Sequence, residues 1–122
     1  GHLGVDHRAM RFGDQIYSVF GAIDLCVAEA GRGGGIGGRL LSEFEECGRA
    51  GGGDLLLLFA QDHRLYAKQG FRDFSAKCHW LGIDEHRNLG MMEEEIVGEL
   101  MIKLLDLEIT AEGPVDFLGY LF

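Results

Sequence analysis

The residues Leu55–Phe59 form an unbroken apolar run, and this run constrains the fold more than any other feature of the 122-residue chain. Glycines precede it and polar residues follow it, which is typical of a strand. A strand with one face in water would alternate apolar and polar residues. A run without alternation indicates burial on both faces, beside a parallel neighbour. We therefore expect a sheet whose central strand is covered on both sides.

A helix is predicted before this strand. Its apolar positions recur about every 3.6 residues, at Ile36, Leu40, Leu41, Phe44 and Cys47. Glycines at positions 48 and 51–53 are expected to end the helix. Further upstream, a turn at residues 12–15 separates two extended runs, and Gly21 is interpreted as a bend in the second run. The first half of the chain therefore predicts antiparallel strands that lead into a helix.

Shorter elements are predicted after the central strand. Asp62 can cap a short helix that ends at Gly70. Three further segments are expected: a strand at residues 71–81, an exposed loop at 82–98, and a strand or helix at 99–105. The tail from residue 111 to 122 is expected to be irregular. This order indicates the α/β class with a mixed sheet, in a single domain over residues 1–122.

Charge and cysteine usage exclude several classes of function. Eleven Lys and Arg stand against twenty Asp and Glu, and the net charge of −9 argues against broad binding of nucleic acid or of anionic membranes. No apolar run approaches the roughly 20 residues that span a bilayer. Cys26, Cys47 and Cys78 lack metal-ligand spacing, so we expect reduced thiols, no metal site and a cytoplasmic protein. An acidic surface would attract cationic small molecules, and the alternative is that the acidity only maintains solubility.

A glycine-rich loop joins the second extended run to the predicted helix. Glycines occupy positions 31, 33–35, 37 and 38. They let the main chain turn tightly and let a ligand approach its bare N–H groups. The start of the helix adds unpaired donors and the positive end of the helix dipole. Together with Arg32, these features predict a site for a diphosphate.

Three phosphate-binding patterns can be compared with this loop. A P-loop requires Lys and then Ser or Thr after its last glycine, whereas an arginine and a leucine follow Gly38. The dinucleotide fingerprint requires an acidic residue after a second parallel strand, roughly 20 residues later, where this chain is rich in glycine. The pattern Arg-x-x-Gly-x-Gly, matched by Arg32, Gly35 and Gly37, resembles motif A of the GNAT superfamily of acyl-CoA-dependent N-acetyltransferases. A flexible glycine loop without a ligand is the remaining alternative.

A second motif supports this resemblance. The segment from Leu65 to Phe71 resembles the family's aromatic-Tyr-x-x-x-Gly-Phe signature, with leucine in the first place. Its Tyr66 lies 34 residues after Arg32, a separation typical of the family. The predicted helix and buried strand lie between the two motifs, as the GNAT fold requires. The resemblance covers residues 23–81 and extends more loosely over the rest, and it implies the GNAT fold with its mixed sheet.

The resemblance implies where acetyl-CoA, the expected co-substrate, would bind. In GNAT proteins the strand of motif A splays away from its parallel neighbour, and the acyl-CoA enters the gap. The backbone that would bond the acetyl and pantetheine amides belongs to Leu25, Cys26 and Val27. The residues that would wrap the diphosphate are Arg32, Gly33, Gly34, Gly35, Ile36, Gly37 and Gly38. A splayed edge offers unpaired N–H and C=O groups, which suit the peptide-like pantetheine arm.

The resemblance also implies Tyr66 as the general acid that protonates the leaving thiolate; its alternative role is that of an aromatic packed on the core. The base is less defined, because the family's usual Glu or His position holds Ile23 in this chain. Asp24 is the nearest carboxylate, but strand alternation points it to the opposite face unless a bulge intervenes. Glu29 is the second choice for the base and a candidate contact for the acceptor, and a chain of waters would also suffice.

The tail is a further candidate contact for the acceptor, besides Glu29. Residues 112–122 resemble the C-terminal ends of GNAT members related to aminoglycoside 2′-N-acetyltransferases, whose final carboxylate helps to line the acceptor pocket. Here the last aromatic residue is Phe122, and a tail packed over an apolar edge is the alternative. A second departure from the family is Phe59, where many members have an asparagine. The family's first strand and helices find no counterpart, so we expect an N-terminally short domain: a truncated chain, an unusually short member, or one completed by a second copy. An uncovered edge favours a homodimer.

These observations predict an acetyl-CoA-dependent N-acetyltransferase that acts on a primary amine of a small cationic acceptor, for which an aminoglycoside is one candidate. The alternative is a non-catalytic acyl-CoA-binding or dimerisation module with the same fold.

Overall fold

The first two strands form a long antiparallel hairpin. The computed structural model describes residues 2–26, 35–84 and 87–121. In it, β1 (His2–Phe12) pairs with β2 (Gln15–Cys26) across a two-residue turn, in which Gly13 has a φ of 60°. The predicted turn is therefore confirmed. The bend expected at Gly21 does not interrupt the strand, because the register of β2 against β1 is unchanged on both sides of Gly21.

The helix α1 (Ile36–Ala50) covers one face of the sheet. Leu41 and Phe44 are buried, as the 3.6-residue period predicted. Two details of the prediction were wrong: Cys47 is exposed, and Gly48 lies inside the helix, where it is buried. On a helix the positions i, i+3 and i+7 share a face. The buried face that starts at Leu41 therefore reaches position 48 and not position 47.

Gly48→Val is expected to lower the free energy of unfolding by about 1–3 kcal/mol, because extra methyl groups overpack the core. A Cβ atom at this position would lie 2.7 Å from Leu56 Cδ2 and 3.1 Å from Leu105 Cδ1. Denaturant unfolding measures the change. Ala50→Val, at an exposed position of the same helix, is the control and should cost about 0.5 kcal/mol. Equal losses in the two variants would contradict close packing at Gly48.

Two short elements follow α1: the strand β3 (Leu55–Phe59) and the helix α2 (Arg64–Lys68). The N-cap residue of α2 is His63 and not the predicted Asp62, which lies one residue earlier. Asp62 Oδ1 nevertheless accepts a hydrogen bond of 3.1 Å from the Arg64 N–H, the first amide of the helix. Gly70 follows the helix with a φ of 90°.

In the described ranges, no helix is long and apolar enough to cross a membrane.

The later strands correct part of the prediction. They are β4 (Arg72–Asp73), β5 (Ala76–Asp84), β6 (Arg87–Ile96), β7 (Leu100–Leu104) and β8 (Val115–Asp116). The strand expected at residues 71–81 is divided in two, and residues 99–105 contain a strand. The loop expected at 82–98 is wrong, because β5 and β6 form an antiparallel hairpin. The tail, expected to be irregular, contributes β8.

In the described part of the chain, eight strands form one mixed sheet in the order β4-β7-β3-β2-β1-β8-β5-β6. The strands β4 and β5 follow each other closely in sequence but lie towards opposite ends of this order, so the sheet curls on itself. β8 contributes to the curl by pairing with β1 on one side and with β5 on the other. The mixed sheet that the sequence predicted is confirmed, whereas its curl was not predicted.

Two apolar clusters lie on the two faces of β3. Leu55 and Leu57 belong to the cluster inside the curl of the sheet. Leu56 and Leu58 belong to the cluster beneath α1. The four leucines are at most 2% exposed, so the predicted burial on both faces is confirmed.

Candidate active site

The parallel strands β2 and β3 separate after a short ladder. The ladder has three pairs: Val19–Leu55, Phe20–Leu56 and Gly21–Leu57. Beyond it, β2 stays paired with β1 as far as Cys26, while β3 stays paired with β7 as far as Phe59. The facing edges of residues 22–26 and 58–59 are therefore not paired with each other. This opening has the form of the splay that the family resemblance implied.

A β-bulge lies in the part of β2 that leaves β3. Between the paired residues His2 and Gly4, β1 has one residue, whereas β2 has two residues, Asp24 and Leu25, between the corresponding partners. The extra residue of a bulge interrupts the alternation of side chains along a strand. The bulge that the sequence argument required is therefore present at Asp24 and Leu25, and the role of Asp24 as the base stays a prediction.

The glycine-rich segment re-enters the described residues at the start of α1. Gly35 is the N-cap residue in the left-handed conformation, with φ 79° and ψ 8°. Its C=O accepts the first intrahelical hydrogen bond, from the Arg39 N–H at 3.0 Å. The N–H groups of residues 36–38 precede that bond, and no side chain caps the helix. Among the residues that the structure describes, no atom would lie within 4 Å of a Cβ atom at Gly35, so none of these residues covers this end of α1, which is suited to an anion.

The structure describes part of the residues predicted to contact acetyl-CoA or the acceptor. The described ones are Gly35, Ile36, Gly37, Gly38 and the backbone of Leu25 and Cys26. Outside the described residues lie Val27, Glu29, Arg32, Gly33, Gly34 and Phe122. The roles expected for this second group stay predictions.

Tyr66 lies on α2, on the same face of the sheet as α1. It packs against the apolar cluster beneath α1, and its ring meets Phe71 edge to face with centroids 6.4 Å apart. The two helices approach each other at their ends, because a Cβ atom at Gly38 would lie 3.0 Å from Gln69 Nε2. The structure therefore brings the short helix that carries Tyr66 beside the open end of α1.

The environment of Tyr66 favours its protonated form. Burial raises the pKa of the phenol above its ordinary value, and the negative charge of Asp62 raises this pKa further. An ordinary tyrosine has a pKa of about 10, so a raised value keeps the proton in place throughout the neutral range. Tyr66 is thus suited to donate a proton and not to accept one.

Lys103 connects the two helices from β7. Its Nζ lies 2.5 Å from Glu45 Oε1 of α1 and 2.8 Å from the C=O of Gln69, the residue that follows α2. The two side chains of this ion pair are 23% and 27% exposed. The hydrogen bond from Lys103 lowers the pKa of Glu45, against the opposing effect of burial. This pair therefore stabilises the arrangement of α1 and α2 when Glu45 is ionised.

Lys103→Met is expected to reduce the loss of stability on acidification. Because the folded-state pKa of Glu45 is depressed, its contribution to stability is fully present above the unfolded pKa and is lost as the pH falls through the folded pKa. Melting temperatures between about pH 6 and pH 3 should therefore fall less in the variant than in the native protein.

The control for this experiment is Lys77→Met. It breaks the more exposed pair between Lys77 and Glu93, whose side chains are 55% and 48% exposed. Because solvent screens exposed pairs, this variant should keep nearly the native pH profile. A native profile in Lys103→Met would contradict the role assigned to the Lys103–Glu45 pair.

The tail packs into the core beside the end of β3. Phe117 is fully buried, and its ring stacks on Phe59 with centroids 6.0 Å apart. The Leu81 N–H donates a 2.8 Å hydrogen bond to the Gly119 C=O, which holds the tail against β5. Phe59, which stands where many GNAT members have an asparagine, is therefore part of the core.

The described cysteines do not indicate a reactive or metal-binding site. Burial, followed by the charges of Glu95 and Glu94, raises the pKa of Cys78 to about 11, which keeps it a thiol. Cys47 is free and exposed. Within the described ranges, no group of three or more His, Cys, Asp or Glu side chains is placed to hold a metal ion.

Sequence reasoning did not single out two residues that support the site. Lys103 contacts a partner 58 positions away in the sequence. His63 pairs with Asp73 at 3.0 Å across the α2–β4 connection. No local pattern predicts such pairs, because the partners meet only when the sheet brings their elements together.

Comparisons with known proteins agree with the fold. The family model described as "Acetyltransferase (GNAT) domain" matches residues 5–73, which is more than half of the chain. The match contains β1 to β4, the glycine-rich segment and Tyr66. It ends before the tail, so the likeness of the tail to aminoglycoside acetyltransferases stays a prediction. No curated protein matches the chain.

Solved structures share the fold at low sequence identity. A GCN5-related N-acetyltransferase from Kribbella flavida has 21% identity and a TM-score of 0.56, over 58% of this chain and 18% of that protein. An IAA acetyltransferase from Bacillus cereus has 21% identity and a TM-score of 0.50, over 74% and 69%. A Bacillus subtilis acetyltransferase in complex with CoA has 17% identity and a TM-score of 0.50, over 83% and 77%. The chain thus spans less than a fifth of the Kribbella protein and between two thirds and four fifths of the other two.

Proposed function

Since the chain belongs to the GNAT acetyltransferase family, we propose that it is an N-acetyltransferase that transfers the acetyl group of acetyl-CoA to a primary amine. The observation that carries this proposal is the opening between β2 and β3 beside the uncapped end of α1. An unpaired strand edge and a helix start are the two features that a pantetheine arm and a diphosphate require. An apolar ligand has no polar groups with which to bond to either feature.

The residues present fit acetyl-CoA as the co-substrate. The backbone of Leu25 and Cys26, together with Val27, bonds the amides of the acetyl and pantetheine groups. The segment from Arg32 to Gly38 binds the diphosphate, with main-chain N–H groups on one side and the Arg32 guanidinium as the neutralising charge. Support for this assignment comes from the left-handed Gly35, whose missing side chain leaves the end of α1 open.

Between heavy atoms, the proposed reaction forms one bond and breaks one bond, and two proton transfers accompany these changes. The amine nitrogen forms a C–N bond with the thioester carbonyl carbon, and the C–S bond breaks with its electron pair on sulfur. Tyr66 supplies a proton to that sulfur, in agreement with its raised pKa. Asp24 takes the proton that the amine nitrogen loses, and the bulge in β2 supports its candidacy.

The proposed acceptor is small and cationic, and aminoglycosides belong to this class. Support comes from the net charge of −9, which attracts cations by long-range steering. Glu29 and Phe122 are assigned to the acceptor side of the site. An anionic amine would meet repulsion from the same charge.

Calorimetry with acetyl-CoA and a thiol-release assay test this function together. We expect acetyl-CoA to bind and a panel of amines to release free thiol, with polycationic amines faster than neutral or acidic ones. Binding without turnover for any amine would instead establish a non-catalytic acyl-CoA-binding module. Absence of acetyl-CoA binding would overturn both functions.

A further inference from the structure

His63 is the N-cap residue of α2 and precedes Tyr66 by three residues. Both of its ring nitrogens have partners. Nδ1 lies 3.0 Å from Asp73 Oδ1, and Nε2 lies 2.8 Å from the Ala60 C=O. Both partners are acceptors, so the two hydrogen bonds form together when each ring nitrogen carries a proton.

These two contacts connect three elements at the end of β3. Ala60 directly follows β3, and its own N–H donates a 2.7 Å hydrogen bond to the Glu99 C=O. Asp73 lies on β4, where it pairs with Met101 of β7. The His63 ring therefore joins the start of α2 to the end of β3 and to β4.

The helix that carries Tyr66 depends on such contacts. With five residues, α2 is far below the length of about 12–15 residues at which an isolated helix becomes marginally stable. Its first backbone hydrogen bond runs from the Ala67 N–H to the His63 C=O at 2.8 Å. At its other end, Lys103 binds the C=O of Gln69. The direction of this helix is therefore set by its two ends and by the packing of Tyr66 on Phe71.

We propose that His63 is a positioning residue, which holds the Tyr66 hydroxyl in place for proton donation by fixing the start of α2 to Ala60 and Asp73. This inference rests on the proposed function, because the hydroxyl is positioned for that reaction. His63 does not contact the reacting atoms and acts through Tyr66. A displacement of about 1 Å at a reacting group can cost about 100-fold in rate, so a loose helix has a large effect.

The kinetic test compares His63→Ala in two backgrounds. In the native background we expect kcat to fall by about 10- to 100-fold, while the KM for acetyl-CoA changes by less than about twofold. In the Tyr66→Phe background, His63→Ala should cause no further loss, because the group that it positions is gone. An equal loss in both backgrounds would show a general structural role and would overturn the proposal.

Two further variants protect this test from misfolding and from nonspecific effects. Asp73→Asn removes one carboxylate oxygen and leaves the histidine in place, and it should reproduce part of the loss in kcat. His79→Ala is the matched control, because His79 also faces a carboxylate, that of Glu93 at 3.6 Å, but lies on β5. We expect native kcat for this control. A loss in His79→Ala equal to that in His63→Ala would overturn the specific role of His63.

A spectroscopic measurement separates this proposal from the proposed function. With tyrosine labelled by 13C, the signal that disappears in Tyr66→Phe identifies Tyr66. His63→Ala should shift that signal and leave the signals of Tyr17 and Tyr120 in place. This result does not depend on turnover, so it supports the positioning of Tyr66 even if no amine is acetylated. An unshifted Tyr66 signal would overturn the proposal whatever the activity.

Discussion

Gly35→Glu is expected to weaken acetyl-CoA binding by about 100-fold or more. The new carboxylate would stand at the open end of α1, where the diphosphate is proposed to bind. Like charges brought together at a binding site cost several kcal/mol, and about 1.4 kcal/mol corresponds to a factor of ten. A residue other than glycine at a φ of 79° adds roughly 1–2 kcal/mol of strain to the folded protein. Calorimetric titration with acetyl-CoA measures the effect.

Two controls separate charge from strain in this experiment. Gly35→Ala carries the strain without the charge, and it should weaken binding much less than Gly35→Glu. Gly52→Glu places the same residue beyond the other end of α1, at a φ of 74° and again with no atom within 4 Å of the new Cβ. This variant should bind acetyl-CoA as the native protein does. Native affinity in Gly35→Glu would remove the end of α1 from the binding site.

Tyr66→Phe is expected to lower kcat by about 100- to 10,000-fold, the usual contribution of a general acid. The KM for acetyl-CoA should stay near its native value, because the lost hydroxyl acts in the chemical step. The ring and its packing on Phe71 are kept, so the melting temperature should change little. Steady-state kinetics with a reactive amine measures both parameters.

The pH profile gives a second readout of Tyr66. Its raised pKa means that the acid form is lost only as the pH rises above about 10. The native enzyme should therefore keep its kcat between about pH 7 and pH 9, without a decline due to Tyr66. Tyr17→Phe, which removes a hydroxyl that donates a hydrogen bond to the Thr110 C=O, is the control and should leave kcat unchanged. Equal rates for Tyr66→Phe and the native enzyme would assign proton donation to another group.

Elements with a strong local pattern were predicted well from the sequence. The turn around Gly13, the period of α1 and the leucine run of β3 each follow from the residues inside them. Leu55–Phe59 is the clearest case, since a strand can be apolar at every position only when both faces are covered. Motif A and the Tyr66 motif could be recognised for the same reason, because each is a short stretch of neighbouring residues.

The prediction failed where a strand lies at the edge of the sheet. In β6, Met91 and Met92 are exposed beside three consecutive glutamates, so neither face shows a regular apolar pattern. Natural edge strands carry charges because these oppose pairing with another chain. A charged edge strand and a loop therefore look alike in sequence, and only the pairing with β5 distinguishes them.

The sequence named candidate groups for the site but not the contacts that hold these groups in place. Gly35 and Tyr66 were named from motifs, and the structure places the open end of α1 beside the helix that carries Tyr66. His63 and Lys103 were not assigned a role, although they hold the ends of α2. Their partners come from β4, α1 and the end of β3, so these contacts exist only in the folded sheet.

The amino-acid sequence by itself determined three features: a strand covered on both faces, a glycine-rich segment that leads into a helix, and a tyrosine on the short helix that follows the strand. Hydrophobic period and glycine content act within a few residues, so these features are local. Only the tertiary structure decided where β2 and β3 part, how the pairing of β8 with β1 and β5 curls the sheet, and which distant side chains fix α2. These features depend on pairing between segments far apart in the chain, and no local pattern encodes the choice of partner.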